Sequence, residues 1–252
     1  MEFMLIIVFA LGLAIGSFLN VLIDRLPLGQ DVIRSRSHCD HCKHVLYWYE
    51  LIPVFSWIFQ EGKSRCCHKH ISIQYPLIEL VTGIGFILIF LFASTLLLFI
   101  SSLILFCSFL VIFVVDLKTE HIPVEMLYIA GVGVLLRLCG AVSFGQLVLT
   151  HIFPALLGAS FFYLLWFFSK GKAMGDGDIP LAFLIGLVTG YPGIIIAFYT
   201  AFLTGAVVGV ILILRRVRTM KSHIPFGPFL ILGMGIALVY SRPIIEWWST
   251  LW

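Results

Sequence analysis

Charge is scarce in this chain: charged residues make up 12% and hydrophobic residues 61%. Over 252 residues, a mean hydropathy of +1.09 excludes a soluble enzyme and places the chain in a bilayer. No stretch shows the in–out alternation of a membrane strand, which excludes a barrel and leaves an all-α, polytopic fold. The sequence carries no internal repeat and no low-complexity tract. No basic residue precedes the first hydrophobic segment and no small-residue cleavage site follows it, so it is expected to be a retained transmembrane helix rather than a secretory signal.

What is present is a series of apolar segments at about 4–23, 76–93, 96–115, 124–141, 148–168, 179–190, 193–214 and 224–241, about eight transmembrane helices in all. Between the first two lies the one long polar stretch, residues 24–74, with Arg25, Arg34, Arg36, Lys43, Lys63, Arg65 and Lys69. Lys118, the pair Lys170 and Lys172, and the group Arg215, Arg216, Arg218 and Lys221 follow the third, fifth and seventh segments. With eight spans these groups share one side, leaving Arg137 and Arg242 towards the other. The positive-inside rule makes the crowded side cytoplasmic and both termini external. The expected organisation is a first helix (1–23), a cytoplasmic loop (24–74) and a multi-helix membrane domain (75–252). The net charge of +3 follows from this topology and calls for no nucleic-acid partner.

The loop holds Cys39-x2-Cys42 and the adjacent Cys66-Cys67, with His38, His41, His44, His68 and His70 nearby. Paired sulfurs on a short loop suit tetrahedral zinc, which would fold a segment too small for its own core. Free thiols and disulfides are the competing readings, and a reducing cytoplasmic loop disfavours the second. A redox Cys-x2-Cys is expected on the opposite, oxidising face. Adjacent Cys66 and Cys67 do not readily bind one ion together, so a histidine is an alternative ligand. Cys107 and Cys139 lie within apolar spans and read as packing residues.

Two acidic motifs stand at membrane boundaries on the cytoplasmic side: Asp116 with Ile122-Pro123, and Met174-Gly175-Asp176-Gly177-Asp178 followed by Ile179-Pro180. Carboxylates there are costly to desolvate and need a reason. Two that meet can cleave a peptide bond, one activating water as an anion and the other, protonated, polarising the carbonyl. Gly175 and Gly177 allow a sharp turn and close approach of a substrate backbone. The segments after Asp178 are short, which sets residues 175–178 slightly below the membrane surface in a water-reached cavity. Singly, Asp178 also reads as a helix N-cap and Asp116 as a span end. Helix polarity suggests Asp178, at an N-terminus, as the base and Asp116, at a C-terminus, as the proton carrier. Asp176 is a secondary candidate, while Glu120 and Glu125 read as solvated charges.

These residues and their order resemble the type IV prepilin peptidases, membrane aspartyl proteases of the GxGD type. Gly16-Ser17-Phe18-Leu19-Asn20-Val21 resembles the family's opening. Tyr47-Trp48-Tyr49-Glu50-Leu51-Ile52-Pro53-Val54-Phe55-Ser56-Trp57, Ile71-Ser72 and Tyr75-Pro76-Leu77-Ile78-Glu79 resemble its loop. Asp116, Gly175-Asp176-Gly177-Asp178 and Ile224-Pro225-Phe226-Gly227-Pro228-Phe229 resemble its membrane motifs. The resemblance implies removal of a short basic leader from prepilins or pseudopilins at the cytoplasmic face of a bacterial inner or plasma membrane. It also implies N-methylation of the new terminus with S-adenosylmethionine, for which the sequence shows no independent motif. Two positions depart from the family pattern: Ser64 stands where the second pair's first cysteine belongs, and Pro180 where lysine is usual. Compact length and the missing cysteine are compatible with a competence-type enzyme, alongside pilus and secretion pathways. Related intramembrane proteases, a cation channel or transporter with acidic ligands, and an inactive assembly factor are the alternatives; the intact aspartates argue against the last.

Overall fold

Inside lipid a backbone can satisfy its polar groups only within itself, so long apolar runs become helices. The computed structural model describes residues 2–32, 35–39, 41–139, 144–172, 174–215 and 225–249. Arg34, Arg216, Arg218, Lys221, Ile224, the side chain of Arg242 and the end of segment 124–141 lie outside the described residues. Among the described residues there is no strand. The helices are α1 (Glu2–Arg25), α2 (Phe55–Phe59), α3 (Gln74–Phe92), α4 (Leu96–Thr119), α5 (Val124–Leu138), α6 (Phe144–Leu147), α7 (Phe153–Ser169), α8 (Asp178–Leu214) and α9 (Gly227–Ser249). Short 3-10 turns cover Leu26–Leu28 and Trp48–Leu51, and a π-helical turn, Val148–Ile152, joins α6 to α7. Five helices are long and apolar enough to cross a membrane, and Gly227–Ser241 is a shorter apolar helix. The all-α expectation holds, and the described part of each expected apolar segment lies mainly on helix, the segments 179–190 and 193–214 both within α8.

The chain divides into two compact units, Met1–Cys107 and Ser108–Trp252, the division falling within α4. In the first unit α1 packs on α3 through small residues one turn apart. A Cβ on Gly12 would lie 2.7 Å from the Gly83 Cα, and one on Gly16 2.7 Å from the Glu79 Cα. That spacing lets two backbones meet in an apolar solvent, where dispersion contacts drive helix association. Gly12→Leu is therefore expected to separate the pair and lower the melting temperature of the detergent-solubilised protein, by about 1–3 kcal/mol of overpacking. An unchanged melting temperature would show that the helices do not approach at this residue.

Arg25, expected only as a topogenic charge, ends α1 buried at 8% exposure. Its guanidinium donates to the Asp31, Ser35 and Arg36 carbonyls at 3.0–3.2 Å, so one planar fork gathers the start of the polar stretch. Further along, Val54 holds a left-handed backbone (φ 63), costly for a β-branched residue. Its N–H donates to the buried Glu79 carboxylate at 2.7 Å, which fixes it.

In the second unit α8 packs against α7 and α9. The expected break near residues 190–193 is present: Gly190 (φ 60) and Tyr191 (φ −89, ψ 138) leave helical geometry. A Cβ on Gly190 would press on the Thr150 carbonyl at 2.8 Å. Beside the break, His151 Nδ1 lies 2.9 Å from the Leu187 carbonyl oxygen. A carbonyl only accepts, so His151 carries its proton on Nδ1 there. The first half of α8, Asp178 to Thr189, is thus about 18 Å long.

Candidate active site

Asp116 sits in the last turn of α4. The helix stops because Glu120 turns left-handed (φ 55), its N–H closing on the Asp116 carbonyl at 2.9 Å. Ile122 and Pro123 follow, and Pro123, with ψ 120, starts α5. The second acidic run coils directly into α8: Asp178 N–H reaches Gly175 O at 3.4 Å and Leu181 N–H reaches Gly177 O at 3.3 Å. The N-cap is Gly177, without a side-chain cap hydrogen bond, and Asp178 is the first helical residue. The reading of Asp178 as the N-cap is therefore corrected. Its side chain does not perform that structural task.

Both carboxylates are buried, Asp116 at 4% and Asp178 at 5% exposure. Both line a cavity of about 450 Å³ that Gly175, Asp176, Gly177, Glu120 and His121 also border. Asp116 Oδ2 has no hydrogen-bond partner among the described residues. A buried oxygen in that state is costly unless a molecule entering the cavity supplies the partner. Asp176 borders the cavity but is exposed, as is Glu120; Glu125 is exposed on α5.

Two neighbours that the sequence did not single out for this role build the site. Ile122 is buried and fills the space beside the glycines. A Cβ on Gly177 would lie 2.9 Å from its Cβ, and one on Gly227 3.4 Å from its Cδ1. Gly227 brings bare backbone against Asp116: a Cβ there would stand 2.6 Å from Oδ2. Phe226 anchors that segment, its ring 4.9 Å from Phe202 and 6.0 Å from Phe162. The sequence signal was a glycine followed by proline at a helix start; it does not reveal which carboxylate that backbone would face.

In the first unit, Cys39, Cys42, Cys66 and Cys67 bring their sulfurs within 4.8 Å of one another. Adjacent Cys66 and Cys67 thus both reach the cluster, contrary to expectation, and no histidine joins it among the described residues. Burial alone raises the Cys39 thiol, but hydrogen bonds from Ser64, the Cys42 and His41 backbone and the Cys42 side chain outweigh it, bringing it down to about 6. Contact with Cys66 pushes the Cys42 thiol up to about 12. Thiolate is the metal-binding species. Tetrahedral zinc with Zn–S near 2.3 Å would set sulfurs about 3.8 Å apart. Cys39 and Cys67 stand at 3.7 Å, while Cys42 and Cys66, at 2.9 Å, would open by about 1 Å to fit. The donor set suits such an ion. Cys107 is half-buried, but Cys139 is exposed at the end of α5 and does not pack as expected.

Fold and site together define a polytopic helical membrane protein with a paired-carboxylate cavity. Residues 10–93 match the Bacterial Peptidase A24 N-terminal domain, and residues 103–210 match the Type IV leader peptidase family. The chain belongs to the type IV leader peptidase family, and so is a peptidase. It is similar to proteins named prepilin leader peptidase/N-methyltransferase. The one from Aeromonas hydrophila is 30% identical over 270 residues, covering 97% of this chain and 93% of that protein. The one from Bacillus subtilis (strain 168) is 32% identical over 251 residues, covering 97% and 98%. A third, from Myxococcus xanthus (strain DK1622), is 32% identical over 216 residues, 84% of this chain and 64% of that protein. No solved structure matches the chain.

Proposed function

We propose that this chain is an aspartyl endopeptidase that removes the basic leader from prepilins or pilin-like pseudopilins at the cytoplasmic face of a bacterial inner membrane. The observation that carries the reading is the pair Asp116 and Asp178: far apart in sequence, both buried, and lining one cavity beside glycine backbone. Eight crossings with external termini would set this cavity at the cytoplasmic side, where a basic leader stays.

In this reading one carboxylate is ionised and the other protonated, as burial and mutual repulsion favour. Asp178, at a helix N-terminus, takes a proton from water as it attacks the scissile carbonyl, and Asp116 donates to the carbonyl oxygen. As the C–N bond breaks, Asp178 passes its new proton to the departing amine and Asp116 takes one back from the gem-diol hydroxyl as the carbonyl re-forms, so the pair returns to its starting state. Bare backbone at Gly175, where an added Cβ would meet nothing nearer than Asp178 Oδ2 at 3.8 Å, leaves room for an extended substrate segment. The relatives' names couple this cleavage to N-methylation, for which S-adenosylmethionine would be the donor. The four cysteines would hold a structural zinc ion in the cytoplasmic loop, binding as thiolates and tying its two ends together.

The test is cleavage of a pseudopilin precursor by the purified chain in lipid vesicles, with the product's new N-terminus sequenced. A single cut just before the substrate's hydrophobic helix is expected. Ion-dependent flux through the same vesicles with an intact precursor would replace the peptidase with the transporter reading.

A further inference from the structure

The two halves of the cysteine segment are one turn built twice. In the first, Cys39 N–H donates to the His44 carbonyl at 2.8 Å and Lys43 N–H to the Cys39 carbonyl at 2.9 Å. In the second, Ser64 N–H donates to the Lys69 carbonyl at 2.8 Å and His68 N–H to the Ser64 carbonyl at 2.7 Å. An antiparallel bridge closes each, His38 with Val45 and Lys63 with His70. Each also sets a non-glycine residue in the left-handed region at the same place, Lys43 (φ 58) and His68 (φ 56). The register of these bonds matches Cys42 with Cys67 and Cys39 with Ser64. A hydroxyl therefore stands where the first turn supplies its first sulfur.

A strict repeat with serine at that place would leave three sulfurs. The fourth arrives from two residues further on. Cys66 Sγ lies 2.9 Å from Cys42 Sγ and 2.9 Å from Ser64 Oγ. Ser64, buried at 5% exposure, also has its Oγ 3.5 Å from Cys39 Sγ. We propose that the fourth metal-binding sulfur of this chain has moved from position 64 to Cys66, and that the Ser64 hydroxyl has become a donor that holds the relocated thiolate. This rests on reading the cluster as a zinc site. A hydroxyl is a poor partner for zinc beside thiolates, but it is well suited to donate a hydrogen bond to a ligating sulfur and fix its direction.

The experiment measures zinc per chain and zinc affinity for the full-length protein in detergent, with thiol alkylation read by mass spectrometry before and after chelation. Wild type is expected to hold one zinc ion and to protect all four cysteines. Cys66→Ser should weaken binding at least tenfold, and Ser64→Ala should weaken it by about 10-fold or more. The double exchange Ser64→Cys with Cys66→Ser should restore the wild-type affinity, which a variant that merely misfolds cannot do. A zinc-free wild type overturns the metal reading and this proposal with it. A zinc-loaded wild type whose Cys66 alkylates as fast as after chelation, or whose Cys66→Ser variant binds as tightly, overturns the relocation alone. A double exchange that fails to restore binding does the same.

Discussion

Asp116→Asn and Asp178→Asn are each expected to lower cleavage of a prepilin precursor by about 10²–10⁴-fold while the protein still accumulates in the membrane. Asparagine keeps the size of the side chain and removes its ability to exchange a proton. Asp178 caps no helix, and the backbone hydrogen bonds to the two carboxylates, from Gly227 to Asp116 and from Gly175 to Asp178, can be accepted by an asparagine carbonyl as well. The double variant should be little worse than either single one, because groups that act as a unit are strongly non-additive. Quantifying shortened product against time in membranes with matched protein levels measures this. Normal cleavage by either variant would end the two-carboxylate mechanism. Asp176→Asn, altering an exposed carboxylate at the rim of the same cavity, should retain most of the activity.

The next largest effect is expected from Gly227→Ala. The added methyl would lie 2.6 Å from Asp116 Oδ2, with Ile122 Cδ1 at 3.4 Å, so it cannot be accommodated without moving the carboxylate. A displacement of about 1 Å at a reacting group costs on the order of 10²-fold in rate. The loss should fall on kcat more than on KM, because the carboxylate does chemistry rather than hold the substrate. Gly177→Ala should behave similarly, since its methyl would meet the Ile122 Cβ at 2.9 Å. Gly175→Ala provides the contrast: its nearest contact would be Asp178 Oδ2 at an ordinary 3.8 Å. Single-turnover cleavage by the three variants separates the effects. If Gly227→Ala cleaved at the wild-type rate, the backbone of α9 would not be what positions Asp116.

Much of this fold was legible because lipid leaves a backbone few choices. Apolar runs had to be helices, and the Gly190-Tyr191-Pro192-Gly193 sequence had to interrupt one. The acidic motifs were legible as chemistry because carboxylates are expensive at such positions. Partnership across long sequence separations was not legible. Nothing in Ile122 announces that it fills the space between two glycines, and nothing in Gly227 announces Asp116. Gly12 and Gly16 carried a helix-pairing signal that hydropathy alone does not register. The cysteine segment misled in a different way. Adjacent residues read as pointing apart, whereas the left-handed turn at His68 and the tight Ser64 carbonyl bond fold both sulfurs towards the first turn.

Each of those paired turns is already closed by its own backbone bonds. A zinc ion seated among the four sulfurs would therefore act as a clasp between two finished pieces, and would not need to shape either one. A cross-link closing roughly 25 residues restrains the open chain by about 3–4 kcal/mol. Unfastening it with a chelator would free the pieces to drift apart with their local folds intact, and replacing the ion would draw them together again without refolding.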